Sequence, residues 1–370
     1  MSESRGCAVT RDGYANGHRS DPAPLRILSF SPVVVNEKGD ITTKAEYARR
    51  YAAARRQAAR MDIASRGKLA EVYLKAADQA ARVVRDAFAR GLSSLTVERW
   101  AALERKLKAA ADAVARGTET VAHALIAEAA PLFPEIDADF VAAAARRAGA
   151  AGKITRKGLD RIAAGIETDV VASLTSRLWA DGSTFSERVW GGTGVRGDWL
   201  ERIKMTVAAG IAQGRDPAKI ARDIQVYTRD GKIALVKRWG GLERGTPEFS
   251  KRLPKNLDWR AVRLVRTELY SSLRDASAMA GEANPGCDGL YDWVLSAGRQ
   301  HWACECDSLA AGSPYKYEDL PSTPHPNCFC DIRPHLRDMA EFTADLARWA
   351  RGESVDYIDR WYTSTYKAAA

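Results

Sequence analysis

The chain has 370 residues, of which 46% are hydrophobic and 28% charged, and its formal net charge is +9. That is an ordinary globular balance with length enough for two or three domains. No apolar run approaches the roughly eighteen residues of a membrane span, and MSESRGCAVTRDG lacks the basic start and apolar middle of a secretory signal, so no membrane partner is expected and the expected starting compartment is a cytoplasm, where thiols stay reduced.

Residues 1–43, rich in Gly, Ser, Pro, Asp and Asn, read as a flexible N-terminal tail with one β-like run at Val33, Val34 and Val35. From Lys44 the composition turns to Ala with interleaved Arg and Glu, and residues 44–150 are expected to form an Ala-rich helical hairpin or bundle. Leu69, Val72, Tyr73, Ala76, Ala80, Val83, Val84, Ala87 and Phe88 recur at three and four, as do Trp100, Leu103, Leu107, Ala111 and Val114. Gly91 should end the first of these helices and Thr96 with Glu98 should start the second, giving an antiparallel pair. A third apolar face runs from Val121 to Ile126 toward Pro131 and Pro134. Such stripes make a bundle core; the small Ala seams also permit self-association.

Residues 151–230 are expected to be a second helical region. Leu159, Ile162, Ile166, Val170, Leu174 and Leu178 form one face. The turn Gly191 to Gly194 has no Lys-Ser/Thr after it and follows no buried strand, so it is not a phosphate loop. Asp198 with Glu201 is expected to cap a helix whose face is Trp199, Ile203, Val207 and Ile211, and Asp216-Pro217 opens another with Ile220, Ile224 and Tyr227 inward. Residues 231–257 read as an exposed loop or arm around a strand at Ile233 to Trp239. Asp258 is expected to cap the helix that carries Arg266-Thr267-Glu268, where Glu268, with no titratable partner nearby in sequence, suits a structural ion pair rather than acid–base work.

Tyr291, Trp293 and Leu295 alternate as a strand leading into the densest chemistry of the chain. Four of the six cysteines fall in a Cys304-x-Cys306 pair and, eighteen residues on, His325-Pro-Asn-Cys328-x-Cys330. An extended C-x-C points both thiols to one face, and the prolines 321, 324 and 326 hold His325 and Cys328 outside any helix. Five soft ligands are thus offered to the four places of a tetrahedral zinc site. A structural zinc, a compact knuckle of buried thiols and a pair of disulfides all remain open, whereas a catalytic zinc, which keeps three protein ligands and an open place, suits this oversupply least. Residues 337–370 are expected to be a C-terminal helical tail with Phe342, Leu346 and Trp349 on one face and a Tyr/Trp-rich end that docks. The expected fold class is therefore mainly α, a helical bundle body with a small α+β C-terminal domain (258–336) containing the Cys/His knuckle.

The order Arg266-Thr267-Glu268, Tyr291-Asp-Trp293, Cys304 and Cys306 followed by Leu309, Leu320-Pro321 and His325 through Cys330 resembles the C-terminal signature of the phage head morphogenesis family, the Mu F-like minor head proteins. The likeness covers residues 258–334, extends less closely over Phe185 to Tyr227 and stops before Gly152. Two positions depart from it: the first pair is C-x-C where the family has C-x2-C, and Phe329 stands where the family has a basic residue.

The resemblance implies a non-enzymatic structural protein of the virion, placed near the portal or in the capsid interior after assembly in the host cytoplasm. It implies portal, scaffolding and major capsid proteins as partners. A role in DNA packaging or delivery would go with non-specific DNA contact, since the positive charge is carried by residues 1–303 while 304–370 are net acidic. A sequence-independent nucleic-acid-binding protein with a zinc knuckle is the alternative. A metal-dependent hydrolase ranks behind both, because the chain has no H-E-x-x-H, no H-x-E with P-C-x2-C and no paired carboxylates.

Overall fold

A computed structural model describes residues 40–89, 97–179, 181–213, 216, 218–221, 223–224, 257–296, 304–322, 325–326 and 328–369. The N-terminal tail before Asp40, the Val33–Val35 run, Gly91, Thr96, Tyr227 and the 233–239 strand with most of its arm lie outside these residues. Gly39–Ala370 form one compact unit.

Helix α1 (Lys44–Ala89) starts where the Ala-rich composition starts, and its first turn is capped reciprocally: Thr43 Oγ1 accepts from the Glu46 N–H at 3.1 Å while the Glu46 carboxylate accepts from the Thr42 N–H at 2.7 Å. Ile41, placed with the tail by composition, is buried beneath this cap. Helix α2 (Val97–Ala129) packs along α1, with Gly117 set so tightly against Val72 that a Cβ there would lie 2.5 Å from its Cγ1. Val121 to Ile126 are the last turns of α2 rather than a separate helix. A 3-10 turn, Ala130–Leu132, ends at the Pro134 that opens α3 (Pro134–Arg147).

Helix α4 (Arg156–Ser176) is capped by Thr155, whose hydroxyl accepts from the Gly158 N–H at 3.2 Å. It buries Leu159, Ile166, Val170 and Leu174, but Leu178 lies beyond its end and is 65% exposed. The short α5 (Phe185–Trp190) carries a Thr184–Glu187 capping box. The glycine turn then brings Gly197 onto the Gly192 carbonyl, 1.9 Å from where a Cβ would sit, which explains the glycines without any ligand. Helix α6 (Val195–Ala212) begins four residues earlier than an Asp198 cap predicts, behind Gly194; Asp198 instead pairs with Arg202 at 2.9 Å, and Glu201 with Lys204 at 3.1 Å. Trp199, Ile203 and Val207 face inward as expected. Asp216 does cap its segment, accepting from the Ala218 N–H at 2.7 Å, with Ile220 and Ile224 buried beyond it.

Helix α7 (Leu257–Glu282) is the axis of the molecule and touches α1, α2, α3, α4 and α6. It already includes Asp258, which therefore lies in the first turn instead of capping it. After it come β1 (Cys287–Val294), α8 (Glu305–Ala311), β2 (Tyr315–Lys316) and β3 (Asp331–Leu336), the strands forming an antiparallel sheet in the order β2-β1-β3. Trp293 pairs with Ile332 and Tyr291 with both Tyr315 and Pro334; a bulge between Cys287 and Tyr291 uses Gly289 at φ +86°. The tail folds as α9 (Met339–Ala350), α10 (Asp356–Trp361) and a π-helical turn at Tyr362–Tyr366. Its aromatic end docks on α4, where Tyr366 Oη accepts from the Thr155 N–H at 2.7 Å. One apolar core runs from Ile41 to Tyr366, and a second, much smaller one lies under the cysteines. The fold is mainly α with a small three-stranded sheet near the C-terminus.

Asp137 is a buried joint of this body. Tyr47 and Tyr51 of α1 donate to its carboxylate at 2.8 and 2.9 Å, and Asn284 after α7 donates at 2.5 Å. Burial without a cationic partner raises its pKa from 3.8 to about 6, against the pull of those three donors. A carboxyl whose folded pKa is raised holds its proton more tightly in the native state, so its contribution to stability is full below pH 3.8 and is lost as pH rises to about 6. We predict that denaturant unfolding of the wild type, compared with Asp137→Asn, shows a loss of about 3 kcal/mol across that window, the worth of roughly two pKa units. Parallel pH profiles for the two proteins would refute the assignment.

Candidate metal centre

The cysteines reach one place by different local routes. Cys304 is not on a strand: it caps α8 with φ −133°, its sulfur accepts from the Asp307 N–H, and its own N–H donates to the Asp307 carboxylate at 3.1 Å. Cys306 sits in the first turn of that helix and is 1% exposed. The two thiols therefore converge through a helix start, not through the period-two alternation that C-x-C suggests. The second pair does follow that logic. Cys328 and Cys330 turn inward, while Phe329 between them faces the body, edge-on to Tyr270 at 4.9 Å with the Arg266 guanidinium 5.2 Å from its ring centre. Phe329, which departs from the resembled pattern, thus anchors the knuckle to α7.

His325 opens a tight turn, its carbonyl accepting from the Cys328 N–H at 3.3 Å. Its Nδ1 lies 3.0 Å from the Pro326 carbonyl and its Nε2 3.4 Å from Cys306 Sγ. Only a protonated Nδ1 can donate to a carbonyl, so in the neutral ring that contact leaves the Nε2 lone pair toward Cys306 Sγ, the arrangement that orients metal-ligating histidines. Pro324 lies outside the described residues.

Cys306 Sγ is 3.5 Å from Cys328 Sγ. Ligand atoms fall within 4.8 Å of one another in two sets, Cys304, Cys306 and His325, and Cys306, Cys328 and Cys330. A tetrahedral ion bonded at about 2.3 Å to sulfur would have S···S edges of roughly 3.8 Å, close to the 3.5 Å between Cys306 and Cys328. The five described cysteines are free thiols.

The surroundings favour negative sulfur at one position. The hydrogen bond from Cys328 is the largest of the influences that draw Cys330 down to about 5, aided by the Ser296 backbone and the Trp293 indole. That indole N–H is buried and makes no hydrogen bond of ordinary geometry, so the Cys330 sulfur is the charge it serves. The same bond raises Cys328, and burial raises Cys306 to about 12. A shared proton network of this kind would be replaced by a cation that deprotonates all three. From the body, Arg274 Nη1 donates to the Cys330 carbonyl at 2.8 Å and Ser277 Oγ to the Ile332 carbonyl at 2.7 Å, fixing the strand that carries the ligands.

The cluster is thus able to hold a metal ion, with Cys306 common to both ligand sets. Arg274 and Ser277 escaped the sequence reading, where Phe329 figured only as a departure from the resembled pattern; the nearest signal was the polar spacing of α7, which marks buried polar work without naming its partners. No family model, curated protein or solved structure matches this chain.

Titration of the chelator-stripped, reduced chain with Co(II) should give an absorption spectrum with strong thiolate-to-metal charge transfer. Cys306→Ser should cost the most affinity, of order a hundredfold or more, and Cys304→Ser much less, while His325→Ala should shift the ligand-field bands. Equal effects of Cys304→Ser and Cys306→Ser would contradict the shared role of Cys306.

Proposed function

We propose that the chain is a structural minor head protein of a tailed phage or prophage, acting in head morphogenesis near the portal, with a knuckle closed by one structural zinc ion. The observation that carries this reading is the use to which the signature residues are put. Arg266 donates to buried Asp62 at 3.1 Å, and Glu268 is held by Arg177 at 2.6 Å and the Trp179 indole at 2.5 Å. Three of the four knuckle cysteines are buried and all face inward to one another. These residues brace a module.

Cys306 would hold the ion together with donors from the two sets it joins, Cys328 and Cys330 on one side and His325 and the half-exposed Cys304 on the other. A bound zinc supplies folding energy to a unit whose own apolar core is slight. The chain's residues do the rest: the Asp307 N–H orients Cys304, the Pro326 carbonyl sets the His325 tautomer, and α7 carries the finished module. In this reading the partners are portal, scaffolding and major capsid proteins, the protein resides in the virion after assembly in the host cytoplasm, and any DNA contact is salt-sensitive and sequence-independent.

Co-expression with the portal, scaffolding and major capsid proteins of its own gene neighbourhood should place the chain in purified particles at a few copies each, and Cys306→Ser should lower that incorporation at least several-fold. Particles that assemble with the chain excluded would overturn the assignment.

A further inference from the structure

We propose that Cys306 and Cys328 are a redox modification site: a peroxide joins their sulfurs in a disulfide that takes over from the metal as the tie across the knuckle. The proposal rests on the metal reading above and adds to it a second, covalent form of the same cross-link. Its basis is placement. The two sulfurs lie 3.5 Å apart, so reaching the S–S distance of about 2.05 Å asks for roughly 1.5 Å of side-chain movement.

They also stand on opposite arms of the loop, Cys306 at the start of α8 and Cys328 at the end of the proline turn. A bond between them closes the same loop that a shared ion closes. A bond within either C-x-C pair would leave the two arms untied. Access comes from the rim, where Cys304 and His325 are half-exposed while the sulfurs behind them are buried.

The step balances as follows. Cys306 sulfur attacks one oxygen of the peroxide, the O–O bond breaks, and the displaced oxygen leaves as water, giving a sulfenic acid. Cys328 sulfur then attacks Cys306 sulfur, the S–S bond forms, and the sulfenic oxygen leaves as a second water. Two thiols lose two electrons and two protons, and one hydrogen peroxide becomes two waters. Were a zinc ion held there by the two sulfurs as thiolates, two protons from solvent would complete the waters and the ion would lose two of its sulfur donors. The exchange suits a protein made where thiols are kept reduced and later carried to oxidising surroundings.

The test uses the full-length wild-type chain, purified with zinc, and treated with hydrogen peroxide. Released zinc is read with a chromophoric chelator, and disulfides are mapped by mass spectrometry of unreduced digests. One zinc should be released per Cys306–Cys328 linkage formed, dithiothreitol should reverse the linkage, and Cys304→Ser should retain it. Chelator-stripped protein should form the same linkage faster. Disulfides confined to Cys304–Cys306 or Cys328–Cys330, or oxidation to sulfinic acid without linkage, would overturn the proposal. A preparation that carries no zinc yet forms the Cys306–Cys328 linkage would uphold the covalent tie and dismiss the metal reading.

Discussion

A single helix with a buried polar face constrains the rest of this molecule. Along α7, Arg266, Thr267, Glu268, Ser271, Ser272, Arg274 and Ser277 are all buried. Polar groups in that position cost several kcal/mol unless each finds a partner, so the partners fix how neighbouring elements dock. Asp62 brings α1 to Arg266, Arg177 brings the end of α4 to Glu268, and the carbonyls of Cys330 and Ile332 bring β3 to Arg274 and Ser277. Asp331 adds a further tie, paired with Arg55 of α1 at 3.2 Å. Apolar packing supplies the attraction, but these directional pairs set the register.

This explains how a weak module can be held precisely. The sheet and cysteines enclose a cluster of Tyr291, Trp293, Ile332 and three thiols, far too small to fold alone. One side is fastened to α7 through Arg274, Ser277 and Phe329. The other side is where α8 meets the proline turn, and it is there that Cys306, Cys328 and His325 converge. The soft ligands sit where a cross-link contributes most.

Much of this was legible in the sequence, for identifiable reasons. Periodicity gave the faces of α1, α2, α4, α6 and α9 because an amphipathic helix must turn its apolar residues to the core every third and fourth position. Caps were less readable. Asp198 and Asp258 look like helix caps, yet α6 begins at Val195 behind Gly194 and α7 already includes Asp258, because an acidic residue is as welcome inside the first turn as before it. The convergence of the cysteines followed from ligand type and spacing, but the first pair converges through a helix cap, which C-x-C spacing does not disclose. Arg274, Ser277 and Phe329 were beyond reach, since their partners are set by tertiary contact and two of those partners are backbone carbonyls.

Hydrogen exchange of the full-length chain, with zinc bound and after chelation under reducing conditions, tests most directly the claim that a metal-tied knuckle rides on a rigid α7. The account predicts that removing the ion lowers protection over residues 304–330 while the amides of α7 and of the helical body stay as protected as before. Protection over 304–330 that is indifferent to zinc, or a loss spread evenly over the whole chain, would contradict it.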